Sequence, residues 1–504
     1  MRRHRACGTI PVAALPGPWS DGLMSQQPPP TALSDPAIED IELLVVGGGK
    51  AGKTLAMEWA NAGRRVAMIE RGWIGGTCIN VACIPTKTLV TSARALRMAR
   101  RARELGFVVG QLPGDPLAGD VAVDIDLLRA HKEGVVGEMV ASQRSLFLAS
   151  GMDLVIGEAV FVAPRTVRVT ADDGSRRTLR GEQVVINTGA RPLVPDLDGL
   201  TDVPYLTSET LLELRTIPRS LVVLGGGVVS TELAQMFAVF GSSVTVIERG
   251  PHLLSRLDPA VSDAVADALR ADGVDVRLSA PAHSVARAHW PGGEGVVVHL
   301  ADGSQITADA LLVATGRTPA TATLDLPSAG VDVTDRGFVA TDEFLRTTAP
   351  GTWAAGDVAG TPQFTHASYD DYRVLRANLA GGSVSTAGRV IPSAVFIDPE
   401  LAMIGLSQVQ AEAAGYTVKV ARMPVAKIPR AHTLRATAGL WSAVVDADTN
   451  LLLGVTLMGA EASESLTSAQ MVMSAGLPYT ALRDAIIIHP TMTEGFTLLF
   501  AGID

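Results

Sequence analysis

The chain has 504 residues, of which 47% are hydrophobic, 4% aromatic and 19% charged. Its formal net charge is −10 and no basic run interrupts the core sequence, which argues against nucleic acid or an anionic membrane as a partner. The 50 glycines and the aliphatic composition favour an α/β protein of several domains that acts on a small molecule or a metal ion.

Residues 1–40 are rich in proline and polar side chains, and we predict that they form a disordered leader. The basic start is not followed by the uninterrupted apolar stretch of a signal peptide, so we expect the protein to remain in the cytoplasm. No apolar run approaches the roughly 18 residues of a membrane span. Cys7 lies in this leader and receives no role.

A Rossmann-type β-α-β unit is predicted to start at Ile41, where "IELLVVGGG" precedes the helical pattern "AGKTLAMEWANAG" and the apolar run "RRVAMIE". Gly47, Gly49 and Gly52 fit the pattern Gly-x-Gly-x-x-Gly. Glycines at this spacing permit a tight turn and the close approach of a pyrophosphate to a helix N-terminus. Glu70 ends the next strand, where a carboxylate is expected to accept a ribose hydroxyl.

The segment "GGTCINVACIPTK" carries Cys78 and Cys83 five positions apart. In a regular helix the Cα atoms of such residues lie about 8.6 Å apart, beyond the roughly 7 Å limit for a disulfide. Either the thiols never pair or the helix is distorted, and we predict that it opens at Pro85, which cannot donate to the carbonyl of Val81. A helix N-terminus and nearby Lys87 would stabilise a thiolate. A reduced pair packed as small apolar side chains is the structural alternative.

The first pattern returns in "SLVVLGGGVVSTELAQMFAVFGSSVTVIERG", which predicts a second nucleotide-binding unit. Gly225 and Gly227 begin its fingerprint, and Ser230 replaces the third glycine with a side chain small enough to keep the helix packed on the strand. Glu248 ends the following strand and favours the free 2′-hydroxyl of NADH. Arg249 follows directly and softens this preference, so NADPH is the alternative.

The remaining sequence contains two strand-and-turn segments, "EQVVINTGARP" and "ADALLVATGRTP", followed by "GTWAAGDVAG". From about Ile391 the pattern changes to antiparallel strands and helices without a phosphate loop. We therefore predict an α/β fold with two Rossmann-like nucleotide-binding domains and a C-terminal α+β domain.

Taken together, "GGTCINVACIPTK", the two fingerprints, "VATGRTP", "WAAGDVAG" and "HPTMTE" resemble the class I flavin disulfide reductases, which include lipoamide dehydrogenase, glutathione reductase and mercuric reductase. The resemblance covers residues 41–504 and implies an FAD-dependent pyridine nucleotide-disulfide oxidoreductase that works as a homodimer. It implies an FAD-binding domain at 41–192 and 314–390, an NAD(P)H-binding domain at 193–313 and a dimerisation domain at 391–504.

The resemblance also implies roles for individual residues. Cys83 would lie against the flavin as the charge-transfer thiol, and Cys78 would face the substrate as the interchange thiol. Lys87 would sit beside flavin N5 and pair with Glu232, which favours charge on the reduced ring. The implied FAD-binding residues are Gly47, Gly49, Gly52, Glu70, Gly76, Thr77, Lys87, Thr188, Gly189 and Asp357. The implied NAD-binding residues are Gly225, Gly227, Ser230, Glu232, Glu248 and Gly316.

His489 and Glu494 belong to the motif "HPTMTE". A histidine oriented by a carboxylate is a general base suited to thiol chemistry near neutral pH. The resemblance places His489 in the active site of the other subunit.

Two further segments, "FTHASYDDYRVLRANLAG" and "AGLPYTALRDAIIIHPTMTE", most resemble a bacterial subgroup typified by a reactive-chlorine-resistance flavoprotein, an NADH-dependent copper(II) reductase. No cysteine follows Cys83, which argues against efficient mercury handling, and we predict no structural metal. Cys78 and Cys83 are then transient ligands of a substrate metal such as Cu(II) or Hg(II), or they reduce an oxidised thiol-reactive acceptor. The alternatives are a dihydrolipoamide dehydrogenase and a flavin-binding redox sensor without significant turnover.

Overall fold

The computed structural model of the chain describes residues 37–106, 121–291 and 293–503. The predicted leader therefore lies outside the described residues up to position 36, and Cys7 lies outside with it. The first strand starts at Ile38, three residues before the predicted start near Ile41. The strand is longer because Ile38 is in register with Thr178 of a neighbouring strand, and Asp40 forms an ion pair with Arg180 at 2.7 Å.

The strands are numbered here in chain order. They are β1 (Ile38–Val46), β2 (Val66–Glu70), β3 (Asp153–Ile156), β4 (Glu158–Ala163), β5 (Thr166–Thr170), β6 (Arg176–Ile186), β7 (Ala190–Pro192), β8 (Ser220–Leu224), β9 (Ser243–Ile247), β10 (Asp275–Arg277), β11 (Ala282–Trp290), β12 (Gly293–Leu300), β13 (Gln305–Ala308), β14 (Ala310–Val313), β15 (Arg317–Pro319), β16 (Thr352–Ala354), β17 (Ser393–Val395), β18 (Leu401–Gly405), β19 (Val418–Pro424), β20 (Leu440–Asp446) and β21 (Leu452–Met458).

The α-helices are numbered in the same way. They are α1 (Lys50–Asn61), α2 (Thr77–Asn80), α3 (Cys83–Arg100), α4 (Ile125–Ser150), α5 (Val228–Phe240), α6 (Pro259–Ala271), α7 (Leu326–Ala329), α8 (Thr365–Leu379), α9 (Gln408–Ala413), α10 (Pro429–Thr433), α11 (Ala462–Ser474), α12 (Thr480–Arg483) and α13 (Gly495–Phe500). Short 3₁₀ turns occupy Ala102–Leu105, Leu200–Asp202, Leu211–Glu213, Gly356–Ala359 and Val425–Lys427.

The first sheet is parallel in its central part, with the order β3-β2-β1-β6 and with β16 also pairing with β6. Its strand β2 is buried along its whole length, as expected of a strand that helices cover on both faces. The strands β5 and β4 extend the sheet beyond β6 in antiparallel pairing, which the sequence analysis did not predict.

The second sheet repeats the topology of the first on a smaller scale, with parallel strands in the order β10-β9-β8-β14. In both units a strand leads through glycines into a helix and then into a neighbouring parallel strand. The predicted internal repeat is therefore confirmed. An antiparallel sheet β11-β12-β13 and the pair β15-β7 lie beside this unit in the sequence.

The third sheet is antiparallel, with the order β17-β18-β21-β20-β19, and it confirms the predicted α+β texture after Ile391. Its apolar side chains pack with the C-terminal helices around Trp441, which is fully buried with its ring centroid 5.1 Å from that of Phe496. No helix among the described residues is long and apolar enough to cross a bilayer. The predicted fold class, with two Rossmann-like units and a third antiparallel unit, is confirmed.

Candidate active site

The two cysteines lie on different helices. Cys78 belongs to the four-residue helix α2, and Cys83 is the first residue of α3. The helical conformation is interrupted between them at Val81 and Ala82, and Ala82 has φ −135° and ψ −100°. The opening lies at Val81, to whose carbonyl Pro85 cannot donate, four residues before the predicted position at Pro85 itself. Pro85 lies in the first turn of α3, where the missing N–H group would have no helical partner in any case.

The break lets the two thiols interact with each other and with a third side chain. Both cysteines are free thiols, and Cys83 Sγ lies 3.6 Å from Thr365 Oγ1 at the start of α8. The hydrogen bond from Cys78 lowers the pKa of Cys83 to about 6, with further support from Thr365 and the charge of Lys87. The same hydrogen bond, together with burial, raises the pKa of Cys78. One thiolate and one thiol therefore share the site near neutral pH.

An ion pair flanks Cys83 one helical turn further along α3. Lys87 Nζ lies 2.7 Å from Glu232 Oε2, as the resemblance implied, and Glu232 is buried on α5. The other oxygen of Glu232 accepts a hydrogen bond of 2.8 Å from the backbone N–H of Phe396. Lys87 Nζ also lies 4.7 Å above the centroid of the Phe396 ring. Lys87, which belongs to the first Rossmann-like unit, is thus contacted by Glu232 of the second unit and by Phe396 of the antiparallel unit.

The first glycine turn is shaped for the close approach of a ligand to backbone amides. Gly47 has φ +96°, and a Cβ atom there would lie 2.7 Å from the carbonyl oxygen of Asn187. The Asn187 side chain accepts from the N–H of Gly52 at 2.9 Å, which fixes the start of α1 behind Gly49. Glu70 accepts a hydrogen bond of 2.9 Å from the N–H of Gly48. This cradle fits the pyrophosphate and ribose of a dinucleotide.

The other predicted FAD contacts come from loops near this cradle. Gly76 has φ +81° at the start of α2, and a Cβ atom there would lie 3.0 Å from the carbonyl oxygen of Gly48. Thr77 follows as the first residue of α2. Thr188 donates to the carbonyl of Ala320 at 2.9 Å, directly before Gly189 at the end of β6.

Asp357 lies in the 3₁₀ turn after β16, in the loop that the resemblance assigns to the ribitol. Burial raises the pKa of its carboxyl group, and the charge of Arg317, whose Nε lies 3.9 Å away, opposes this shift. A partly buried carboxylate whose one ion-pair contact is as long as 3.9 Å retains acceptor capacity for hydroxyl groups. The observed environment of Asp357 therefore fits a polyol ligand.

The second glycine turn has the same construction. A Cβ atom on Gly225 would lie 2.6 Å from the carbonyl oxygen of Ala314, and Gly227 precedes α5. Ser230 is fully buried and donates to the same Ala314 carbonyl at 3.2 Å, so the serine keeps the tight packing of the missing glycine. Glu248 accepts from the N–H of Gly250 at 2.7 Å.

Gly316, the last of the predicted NAD contacts, has φ +147° between β14 and β15 and accepts a hydrogen bond from the N–H of Leu193 at 2.9 Å. A second cofactor would thus meet backbone at Gly225, Gly227 and Gly316, with Glu248 at the end of β9.

His489 and Glu494 form the predicted pair, with 2.8 Å between Nδ1 and Oε2. The carboxylate is mostly buried, whereas the imidazole is 68% exposed. The opposite ring nitrogen, Nε2, is then directed away from Glu494 and is available to a partner outside this pair. Within the described residues, no group of three or more His, Cys, Asp or Glu side chains is arranged to hold a metal ion.

Sequence reasoning missed three residues of this region. Thr365 contacts Cys83 from 282 positions away, and Asn187 holds the first glycine turn from 135 positions away. Lys53 is buried on α1 and donates to the carbonyl of Gly75 at 2.8 Å. The sequence offered a signal only for Lys53, as a charged residue of "KAGK" within the predicted helix after the first glycine turn.

Two family models match the chain. One, described as pyridine nucleotide-disulphide oxidoreductase, matches residues 41–371. The other, described as the dimerisation domain of the pyridine nucleotide-disulphide oxidoreductases, matches residues 391–500. Together the two matches span both Rossmann-like units and the antiparallel unit.

Individual relatives agree with these matches. The chain is 39% identical over 469 residues to the probable pyridine nucleotide-disulfide oxidoreductase RclA of Escherichia coli, covering 91% of this chain and 98% of the relative. It is 33% identical over 474 residues to a mercuric reductase of Staphylococcus aureus, covering 92% and 83%. The solved Cu(II) complex of the HOCl-induced flavoprotein disulfide reductase RclA from Escherichia coli matches with a TM-score of 0.83 and 38% identity over 92% of this chain and 99% of that one. The predicted resemblance is confirmed.

Proposed function

Because the chain belongs to the pyridine nucleotide-disulphide oxidoreductase family, an enzyme family that uses FAD and a pyridine nucleotide, we propose that it passes electrons from NADH through the Cys78–Cys83 pair to Cu(II). The observation that carries this proposal is the placement of two free thiols on the adjoining helices α2 and α3, with the Lys87–Glu232 ion pair one helical turn beyond Cys83. Such a pair contains one ready nucleophile or metal ligand and one proton donor.

FAD, when bound, would accept a hydride from NADH and pass two electrons to the cysteine pair. The chain's own residues do the rest. The two glycine turns and the helices that follow them hold the dinucleotides, and Glu70 and Glu248 accept their ribose hydroxyls. Glu248 at the second turn favours a free 2′-hydroxyl, and this is the ground for NADH over NADPH. The ammonium of Lys87 stabilises negative charge at Cys83 and would do the same for a reduced flavin bound next to it.

The electron balance of the cysteine step is simple. Reduction breaks the Cys78–Cys83 bond, consumes NADH and H⁺, and yields NAD⁺ and two thiols, of which Cys83 loses its proton. Two Cu(II) ions then take one electron each, the disulfide forms again, and Cys78 releases its proton. The net reaction is NADH + 2 Cu(II) → NAD⁺ + 2 Cu(I) + H⁺. His489 of a second copy of the chain, oriented by Glu494, is the base that we assign to the Cys78 proton.

Cu(II) is preferred as acceptor on two grounds. Thiolates are soft ligands that stabilise Cu(I), so a dithiol both binds and reduces copper. The structure of the Escherichia coli relative, which matches 92% of this chain, has been solved as a Cu(II) complex. The mercuric reductase relative keeps Hg(II) as a candidate, but no cysteine follows Cys83 to deliver a second thiol pair.

An acceptor panel tests the proposal. NADH oxidation is measured with Cu(II), Hg(II), lipoamide, glutathione disulfide and oxygen, and Cu(I) is followed with a chelator specific for it. We expect Cu(II) to give the highest kcat/KM, and we expect Cys78→Ala and Cys83→Ala to lose at least about a hundredfold of it, because a single thiol cannot cycle as a disulfide. Cys7→Ser is the matched control and should retain wild-type rates.

The panel also separates the alternatives. Rapid, saturable turnover of dihydrolipoamide with NAD⁺, exceeding that with Cu(II), would establish a dihydrolipoamide dehydrogenase. If no acceptor supported NADH oxidation, the remaining alternative would be a flavin-binding redox sensor without significant turnover. Equal Cu(II) reduction by Cys78→Ala and the wild type would show that electrons leave without the cysteine pair, and the proposal would then fail.

A further inference from the structure

Lys53 is an unusual residue for the interior of the first Rossmann-like unit. Its side chain is 4% exposed, although lysine is rarely buried to this extent without an acidic partner. Among the described residues it forms no ion pair, and its Nζ donates to the backbone carbonyl of Gly75 at 2.8 Å. Burial and the nearby charge of Lys50 lower the pKa of Lys53 to about 8. Keeping an amine here costs free energy that an apolar residue would not cost.

The position of Lys53 connects it to the cysteine segment. Gly75 lies in the turn that leads into α2, three residues before Cys78, and its φ of +95° marks a tight change of direction. The turn is closed by a hydrogen bond of 2.7 Å from the N–H of Gly76 to the carbonyl of Trp73. A lysine that anchors the Gly75 carbonyl therefore fixes the turn on which Cys78 depends.

The charge of Lys53 also acts on Cys78. The ammonium opposes the hydrogen bond and the burial that raise the pKa of Cys78, and a Cys78 thiolate in turn raises the pKa of Lys53. Lys87 acts in the corresponding way on Cys83. Each sulfur of the pair thus has its own lysine, one from α1 and one from α3.

We propose that Lys53 is a positioning residue for Cys78, which holds its turn through Gly75 and supplies the positive charge that stabilises its thiolate when an acceptor binds. This inference rests on the proposed function, because Cys78 must lose its proton whenever the disulfide forms again. The ionisable groups that act on this pair of residues are Lys50 on α1, Cys83 on α3 and, through Cys83, Lys87.

The test measures the thiolate rather than turnover. The FAD-loaded enzyme is reduced with a phosphine, and the rate of alkylation of Cys78 by iodoacetamide is followed from pH 6 to 10 by fragment mass spectrometry. Cys83 lies on the same tryptic peptide, and the fragment ions distinguish alkylation at Cys78 from alkylation at Cys83. The variants are Lys53→Met, which removes the charge at similar length, and Lys53→Arg, which keeps it at every pH used.

Lys132→Met is the matched control. Lys132 is 3% exposed on α4, and its Nζ donates to the carbonyl of Leu212 at 2.7 Å, so this variant also removes a buried amine from a backbone carbonyl. Lys132 differs from Lys53 in having an acidic partner, Glu213, and in lying on another helix. A loss of stability common to both sites will therefore appear in the control.

Lys53→Met should alkylate Cys78 about tenfold more slowly than the wild type below pH 8, which corresponds to a pKa increase of about one unit. The wild-type profile should flatten around pH 8 as Lys53 loses its proton, whereas the Lys53→Arg profile should rise without this bend. Lys132→Met should follow the wild type. If Lys53→Met does not retain FAD, the Lys53→Arg profile decides the matter.

An unchanged Cys78 rate in Lys53→Met, or slowing in Lys53→Arg as large as in Lys53→Met, would overturn the inference, because packing alone would then explain the residue. A shifted profile in an enzyme that reduces no acceptor would support the role of Lys53 and contradict the proposed function. The reverse result, normal Cu(II) turnover with an unshifted profile, would contradict only the role of Lys53.

Discussion

The two thiols of the active site have the same chemistry and opposite environments. Cys83 is a hydrogen-bond acceptor for Cys78 and lies beside Thr365 and the charge of Lys87, so its pKa falls to about 6. Cys78 is the donor in that bond and is buried, so its pKa rises. Because the hydrogen bond is the largest cause of both shifts, the asymmetry of the pair depends on the proton that the two sulfurs share.

The first prediction concerns this shared proton. In Cys78→Ser the hydroxyl can still donate to Cys83, whereas in Cys78→Ala no donor remains. We expect the pKa of Cys83 to stay near its wild-type value of about 6 in the serine variant and to rise by about one unit or more in the alanine variant. The pH dependence of Cys83 alkylation, followed by mass spectrometry on the tryptic peptide that also contains residue 78, measures both.

The sign follows from the protonation equilibrium. A lost donor destabilises the thiolate, so the Cys83 alkylation rate at pH 6 to 7 should fall in Cys78→Ala. Thr365→Val removes a smaller cause and should shift the pKa in the same direction by less. A Cys83 profile that is identical in the alanine and serine variants would show that the Cys78 hydrogen bond does not set the pKa.

At the scale of elements, helix α8 links the Asp357 loop to the cysteine pair. It begins at Thr365, beside Cys83, and it carries Asp371, which is completely buried. The Asp371 carboxylate accepts hydrogen bonds from the Gly356 N–H at 2.7 Å and from a threonine hydroxyl at 2.8 Å. It also lies 2.7 Å from Arg389. One helix therefore aligns the turn that contains Asp357 with the two thiols of the candidate site.

The second prediction tests this alignment. Asp371→Asn removes the charge of the buried partner of Arg389, which keeps only the partly exposed Asp370, and weakens the anchor of the Gly356 turn. We expect a loss of about 3 kcal/mol in the free energy of unfolding, because breaking a buried pair exposes the cost of the remaining charge. Thermal unfolding and the FAD content of the purified protein measure the effect.

Asp370→Asn is the matched control for this variant. Asp370 precedes Asp371 and also contacts Arg389, at 3.1 Å, but its side chain is partly exposed. An exposed pair contributes below about 1 kcal/mol, so this variant should keep both stability and FAD. Equal losses in the two variants would show that Arg389, and not the Gly356 turn, is the important partner.

At the scale of the whole molecule, a single chain leaves parts of the candidate site exposed. His489 and its carboxylate partner lie in a C-terminal segment that begins with two exposed apolar side chains, Ile486 and Ile488. Exposed apolar residues around a polar pair are typical of a protein interface. The segment lies in the region matched by the dimerisation domain. We therefore propose a homodimer in which this segment of one copy completes the cysteine site of the other.

The third prediction is that two inactive variants complement each other. Cys78→Ala and His489→Ala should each lose Cu(II) reduction as homodimers. A mixed dimer contains one complete site, built from the cysteines of one copy and the histidine of the other. Random assembly makes half of the dimers mixed, so co-expression should restore about a quarter of the wild-type activity.

Co-expression of Cys78→Ala with Cys83→Ala is the control, and it should restore nothing, because every cysteine pair then lacks one member. Differently tagged copies allow the mixed dimers to be isolated and assayed alone. Activity that stays absent in purified mixed dimers would place His489 in the same subunit's site or outside it.

The sequence alone was sufficient for the features that depend on neighbouring residues. The glycine turns at Gly47 and Gly225, the acids that end β2 and β9, and the internal repeat follow from local sterics and hydrophobic periodicity. The cysteine pair was also visible, since its spacing and its glycines lie within one short segment. The fold class and family were predictable because several such local patterns occur together in a fixed order.

Only the tertiary structure decided how these patterns meet. The helix is interrupted at Val81 and Ala82 and not at Pro85 itself, although Pro85 is the residue that cannot donate to the Val81 carbonyl. Thr365 is brought to Cys83 from 282 positions away. The burial of Lys53 likewise depends on the packing around α1. Such contacts come from packing between elements that are distant in the chain. Packing of this kind leaves no local pattern in the sequence from which the contacts could be predicted.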